Sequence, residues 1–441
     1  MMHRAKSLTL FELLAIAVPG FTTVIALAFA EPAGVVTGII WAAVAIVIYP
    51  LALVPLLLVA GGFQQAVTLA GLQVGWWFVL GAAFGVGLKI FFDSGRFGYN
   101  RSLAIVIVAF ALLATIISLM DPEFRFDRFG TLIILLIMLS IFARILSPTD
   151  NHDLPLAGTT YAILISGLVV VLYLILLITS GKAYLARGTE LGLSLGVNES
   201  SPSGISRMLA FTLVTAVMLA VVGQIKGLVQ TLFLILVILL CCFGMMYTGS
   251  RMPMFAATIA ISVGVVIQTA FAWHSYKFSS VFLIALFVIF AVYVASIIAS
   301  GQSISVPFLG DREFALRLAR APSIDGNIRF RYWAEHFQKI SDFQFIIGSG
   351  IGVLRNPHSV WVGSLSTFGL IGFAVVLHFY LSVARAAYIN RSSLGFALLI
   401  YIGLSYSSSS DVDRPQFWIL MTLVILLVGA DAIKHGGKAH E

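Results

Sequence analysis

Apolar residues in this chain fall in long unbroken runs, and polar residues are confined to the gaps between them. The runs lack the period-two alternation of outer-membrane barrel strands. Most approach or exceed roughly 18 residues, the length at which an apolar stretch reads as a spanning α-helix. They predict spans at 8–30, 34–60, 66–92, 102–120, 129–147, 157–180, 208–222, 228–247, 252–273, 279–300, 359–384, 394–407 and 417–433. The expected fold is an all-α polytopic membrane protein, one integral membrane domain over 1–441. Pro50, Pro55 and the glycines between 61 and 87 leave room for kinks or a re-entrant piece near the start. The first run, from Leu8, is long enough to stay in the membrane, so no cleaved leader is expected.

The gaps set the topology. Two are long: 181–207, rich in Gly and Ser, and 301–357, which carries many of the chain's charges. Two spans separate the first from the turn ending at Arg251, and two more separate that turn from the second. All three therefore share a face. The opposite face receives Arg96, Arg101, Lys226, Lys277, Arg385, Arg391, Lys434 and Lys438. Short loops rich in Lys and Arg stay in the cytoplasm, which makes the long loops extracytoplasmic. The N-terminus, with Arg4 and Lys6, reads as cytoplasmic too. Three spans before Asp93 would contradict that. Two full spans plus an irregular piece restore the parity, giving about 12 helices and a large extracytoplasmic loop, 301–357, with short helices of its own.

Composition agrees. The chain is 60% hydrophobic and 10% charged, against about 25% charged in an ordinary soluble domain. The net charge of +7 fits basic cytoplasmic loops and anionic lipids, and no nucleic-acid partner is expected. Cys241 and Cys242 are neighbours inside an apolar run and read as packing residues.

Candidate chemistry lies on the long-loop face. Leu309–Ala321 has helical spacing with Arg312, Arg317 and Arg320; it reads either as an interfacial helix or as a solvated one. In "DGNIRFRYWAEHF", Asp325 to Phe337, Arg329 and Arg331 precede Tyr332 and Trp333. A guanidinium fork matches a phosphate oxygen pair, and Trp and Tyr suit a membrane interface. In "FIIGSGIGVLRNPHSVW", Gly348, Gly350 and Gly352 let backbone approach a ligand closely. Pro357 fixes the turn before His358, whose side chain suits a general base near neutral pH. Arg251 sits between two spans with little loop around it, where a charge calls for a partner. Together these residues suit an anionic leaving group beside an acceptor hydroxyl. Asp311, Asp325 and Asp342 are too scattered for a divalent-cation site, so no metal or cofactor is expected.

The order of these features resembles the superfamily of O-antigen ligases and O-antigen polymerases, the bacterial envelope glycosyltransferases. Many spans lead to an "SR" turn, a large loop with "R-x-x-x-W", a "G-x-G-x-G" run, a histidine, and an apolar helix with "GLIG". The motifs fall between Gly223 and Phe373, and the rest matches by hydropathy only. The resemblance implies a metal-independent, inverting transferase of the C-type membrane class. It would take a glycan from undecaprenyl diphosphate at the periplasmic face of the inner membrane. Acceptors would be lipid A–core for a ligase or a lipid-linked repeat unit for a polymerase. Carried over by motif, Arg251, Arg329 and His358 are the catalytic candidates; Arg331, Trp333, Arg355 and Ser359 are the substrate-binding ones. The family usually reads His-Asn where this chain reads His358-Ser359. A transporter or lipid flippase is the rival from another class. Glu12, His378 and Pro50 lie inside spans, but no second half mirrors the first.

Overall fold

The computed structural model describes residues 9–63, 68–69, 72–92, 108–109, 156–181, 183–186, 190–195, 198–200, 202–223, 227–248, 250–271, 333, 338, 342–349, 359–407 and 415–436. Within them the chain is nearly all helical. The helices are α1 (Leu10–Phe29), α2 (Glu31–Ile48), α3 (Leu53–Gly62), α4 (Val74–Phe92), α5 (Leu156–Thr179), α6 (Pro202–Val222), α7 (Leu228–Thr248), α8 (Arg251–Phe271), α9 (Asp342–Ile347), α10 (Val360–Ile389), α11 (Ser393–Ser405) and α12 (Pro415–Gly436). Seven of these, α1, α2, α5, α6, α7, α8 and α10, are long and apolar enough to cross a membrane. The protein is an all-α polytopic membrane protein. The expected spans at 102–120, 129–147 and 279–300 lie outside the described residues, apart from two helical positions at 108–109.

Three boundaries differ from the hydropathy reading, each for a local reason. The run 34–60 is not one helix. It breaks at Tyr49, which is extended (φ −153°), then continues as a 3-10 turn at Pro50–Ala52 and as α3. Proline has no N–H to continue the ladder and pushes the residue before it out of the helical region. The run 66–92 opens with a small antiparallel pair, Thr68–Leu69 (β1) on Leu72–Gln73 (β2), before α4 starts. The connection 181–207 ends sooner, because α6 begins at Pro202, a residue preorganised for a first helical turn. What remains of it holds a three-stranded antiparallel meander, Ala183–Ala186 (β3), Glu190–Leu195 (β4) and Asn198–Ser200 (β5). Hydropathy sees none of these strands, since apolar runs this short carry no membrane signal.

The packing fixes relative directions. A Cβ built on Gly81 would meet the Ile39 carbonyl at 2.6 Å, and one on Gly85 would meet the Ala43 carbonyl at 2.5 Å. Both pairs advance by four residues in the same sense, so α2 and α4 run parallel at close approach, as small residues allow in lipid. The chain must therefore turn back between them, and α3 is that return. In the first 92 residues α1 and α2 are long and apolar enough to span, and the expected irregular piece is the 3-10 turn, the ten-residue α3 and the β1–β2 pair ahead of α4. All ten residues of α3 are buried, consistent with a helix apolar on every side.

The end of the bundle that carries residues 180–201 is called the loop end here. The Phe63 ring, just past α3, meets Tyr173 near the C-terminus of α5 at 4.5 Å, so α3 ends there. The Tyr401 hydroxyl on α11 donates to the Arg207 carbonyl near the start of α6 (2.8 Å). Ser393, at the start of α11, bonds Gln268 near the end of α8 (2.6 Å). The loop end thus gathers the C-termini of α3, α5, α7 and α11 and the N-termini of α6, α8, α10 and α12.

Candidate functional site

The entry of α10 is fastened to α11. Ser359 is buried (1% exposed) and caps α10, its hydroxyl accepting from the Val362 N–H (3.3 Å). The Val360 N–H donates to the Tyr406 carbonyl (2.9 Å), and the Trp361 indole N–H to the Gly403 carbonyl (3.3 Å). The Trp361 ring packs edge-on to Tyr380 and Phe417, at 5.3 Å and 6.3 Å. This tryptophan is a packing residue between helices as much as a marker of the membrane edge.

Below that entry α10 is broken. Gly369, the first residue of "GLIG", has φ +68° and ψ −170°, so the helix stops at Phe368 and restarts at Leu370. A break at membrane depth frees carbonyls that need donors. The Ser366 carbonyl receives two from the residue that follows the glycine after α9: the Ser349 N–H (2.8 Å) and the Ser349 hydroxyl (2.9 Å). Gly348 has φ +96°, and a Cβ there would meet Phe368 Cα at 2.6 Å. The glycine run was expected to bring backbone close to a ligand. Its first member instead lies against the backbone of α10. The end of the large loop is seated in the gap of a discontinuous helix.

The loop end also holds a buried cation that the sequence reading passed over. Arg207, 4% exposed, donates from Nη1 to Gln416 Oε1 (2.7 Å) and from Nη2 to Ser203 Oγ (3.1 Å). Its Cζ lies 5.1 Å from the centre of the Tyr406 ring, a cation–π distance. Gln416 passes the connection on by donating to the Gly61 carbonyl. One guanidinium thereby links α6, α12, α3 and the end of α11. None of its partners among the described residues is negatively charged. Arg207 was read as the last residue of a loop; Pro202 was the available signal that the helix starts earlier.

The sequence-derived candidates divide as follows. Arg251 is the first residue of α8, at the loop end. Ser359 lies at the same end and its hydroxyl is engaged in capping. Trp333 is helical and half-buried. Arg329, Arg331, Arg355 and His358 lie outside the described residues. Among the described residues no group of three or more His, Cys, Asp or Glu is placed to hold a metal ion. His378, considered for a transport role, is exposed on the flank of α10, where its carbonyl accepts from the Ser382 hydroxyl (2.8 Å). The chain matches no protein-family model, and no curated protein matches it in sequence.

Proposed function

We propose that this protein is a metal-independent, inverting glycosyltransferase of the bacterial inner membrane. It moves a glycan from undecaprenyl diphosphate to an acceptor hydroxyl at the periplasmic face. The observation that carries the reading is a convergence at one end of the bundle. Arg251 opens α8 there, and α10 is capped there by Ser359, the residue after His358 in the chain. In this reading about 12 helices cross the membrane, and the loop end and the loop 301–357 face the periplasm, as the distribution of basic residues requires.

In the reaction, the acceptor oxygen bonds to the anomeric carbon as that carbon's bond to the diphosphate oxygen breaks. The electron pair leaves with the diphosphate, and His358 takes the acceptor's proton. Arg251 and Arg329, with Arg331 and Arg355 nearby in sequence, hold the charge that develops on the leaving group. Trp333 lines the lipid–water boundary. The primary reading is ligation to lipid A–core. Polymerisation onto a lipid-linked repeat unit uses the same chemistry and differs only in the acceptor.

The test is glycan transfer from a lipid-linked donor, in membranes, by wild-type protein and by single alanine variants at 251, 329, 331 and 358. His358→Ala and Arg251→Ala should each abolish more than about 99% of the rate, the range for loss of a base or a charge-stabilising donor. Full activity in membrane-inserted His358→Ala removes the base role. A deletion strain separates the acceptors: loss of a ligase leaves long chains on the carrier, and loss of a polymerase leaves single repeat units. Substrate movement across the bilayer without a new glycosidic bond would replace the reading with transport.

A further inference from the structure

Arg207 does more than a helix tie requires. Burying a guanidinium against neutral partners is expensive, and replacing such a charge with a well-packed apolar side chain is commonly neutral or stabilising. The site does not recover the cost locally. Among the described residues, Arg207 Nε and the Ser206 hydroxyl are buried without a hydrogen-bond partner, which is uncommon for buried polar atoms. A group retained only to join helices would have its donors used. An ionisable residue kept inside a membrane bundle at such cost points to a role for its charge.

Its position says which role. Arg207 contacts the Tyr406 ring (5.1 Å). The Tyr406 carbonyl accepts the Val360 N–H, one residue into α10. Gln416 on α12 accepts from the guanidinium, and Tyr401 on α11 donates to the Arg207 main-chain carbonyl. The cation is held by Gln416, Ser203 and the Tyr406 ring and sits beneath the point where α10 enters the bundle. We propose that Arg207 is a positioning residue of the loop-end site. It sets the entry of α10 through Tyr406 and adds a fixed positive potential for the anionic diphosphate head of the donor. This rests on the transferase reading. The charge acts through low dielectric, where it is felt beyond contact distance.

The experiment uses the full-length protein in lipid nanodiscs, with an undecaprenyl-diphosphate glycan as donor. Arg207→Met keeps the volume and removes the charge; Arg207→Lys keeps the charge and loses the fork. Transfer kinetics and thermal midpoint are measured for both. Arg207→Met leaves Gln416 Oε1 without its donor and should lower the midpoint, and it should lower kcat/KM for the donor at least about tenfold. Arg207→Lys should recover kcat/KM to within about threefold of wild type, because the charge itself is what acts. If Arg207→Met transfers glycan like wild type, the proposal is wrong while the transferase reading stands. If midpoint and activity fall together in both variants, the arginine is a structural tie and the proposal is likewise wrong. If wild-type protein neither transfers glycan nor is thermally stabilised by the lipid diphosphate, both readings fall.

Discussion

The crossing of Gly348 over α10 can be tested against a control in the same molecule. Gly348 and Gly181 both have positive φ, +96° and +68°. Placing an L side chain in that region costs roughly 1–2 kcal/mol in either case. At Gly181 nothing lies within 4 Å of an added Cβ, so Gly181→Ala should cost only that. At Gly348 the new carbon would stand 2.5 Å from the Thr367 carbonyl carbon and 2.6 Å from Phe368 Cα. These are backbone atoms of a membrane helix and cannot rotate away. The crossing must open, and Ser349 then loses two hydrogen bonds to the Ser366 carbonyl, each worth about 1 kcal/mol. The total is about 3–4 kcal/mol for Gly348→Ala, against about 1–2 kcal/mol for Gly181→Ala. Unfolding of the two variants and wild type would be compared in the same detergent, by loss of the monodisperse species on heating. Equal destabilisation would refute the backbone-on-backbone crossing. Little effect at either position would refute the strain argument as well.

Two further expectations follow from packing and direction. Gln416→Ala should destabilise the protein by about 3 kcal/mol or more, since it leaves Arg207 Nη1 and the Gly61 carbonyl buried without partners; thermal midpoints in detergent would show this, and an unchanged midpoint would mean the relay carries no weight. Cysteines placed at the exposed turns Gly181 and Gly223, with Cys241 and Cys242 replaced by alanine, should react with a membrane-impermeant maleimide from opposite sides, Gly181 from the periplasm if the proposed orientation holds; labelling of both from one side would mean that α6 does not cross the membrane.

How much of this was readable beforehand depends on length scale. Continuous apolar runs announce α5, α7 and α8 within a few residues, because a spanning helix in lipid must satisfy its own backbone and has no other solution. The break at Tyr49–Pro50 was legible as a possibility, not as a position. Hydropathy averages over a window longer than the defect. The parallel pairing of α2 with α4 was hidden, since it is set by where backbones touch at Gly81 and Gly85, a matter of tertiary register. Gly369 was noticed only as part of a motif. Its positive φ depends on Gly348 arriving 21 residues away in sequence, and no local pattern encodes that meeting. Arg207 was misplaced for a related reason. Ser203, Ser206 and Arg207 lower the local hydropathy, so the first turns of α6 read as loop although Ser206 and Arg207 are buried.

The short helices have a consequence for the surrounding lipid. α11 has 13 residues, a rise of about 20 Å against a hydrocarbon core of about 30 Å. Its last turn, the start of α12 and the entry of α10 all close around Arg207, five residues inside α6. That is about 7.5 Å below the helix's own beginning. Lipid does not meet so short a wall, because every residue of α11 is buried or half-buried. Its longer neighbours carry the boundary with the hydrocarbon, so a helix too short to span is spared the mismatch that an exposed one would impose on the bilayer. The ends of α11 meet protein instead of headgroups, and its polar partners there can engage Arg207.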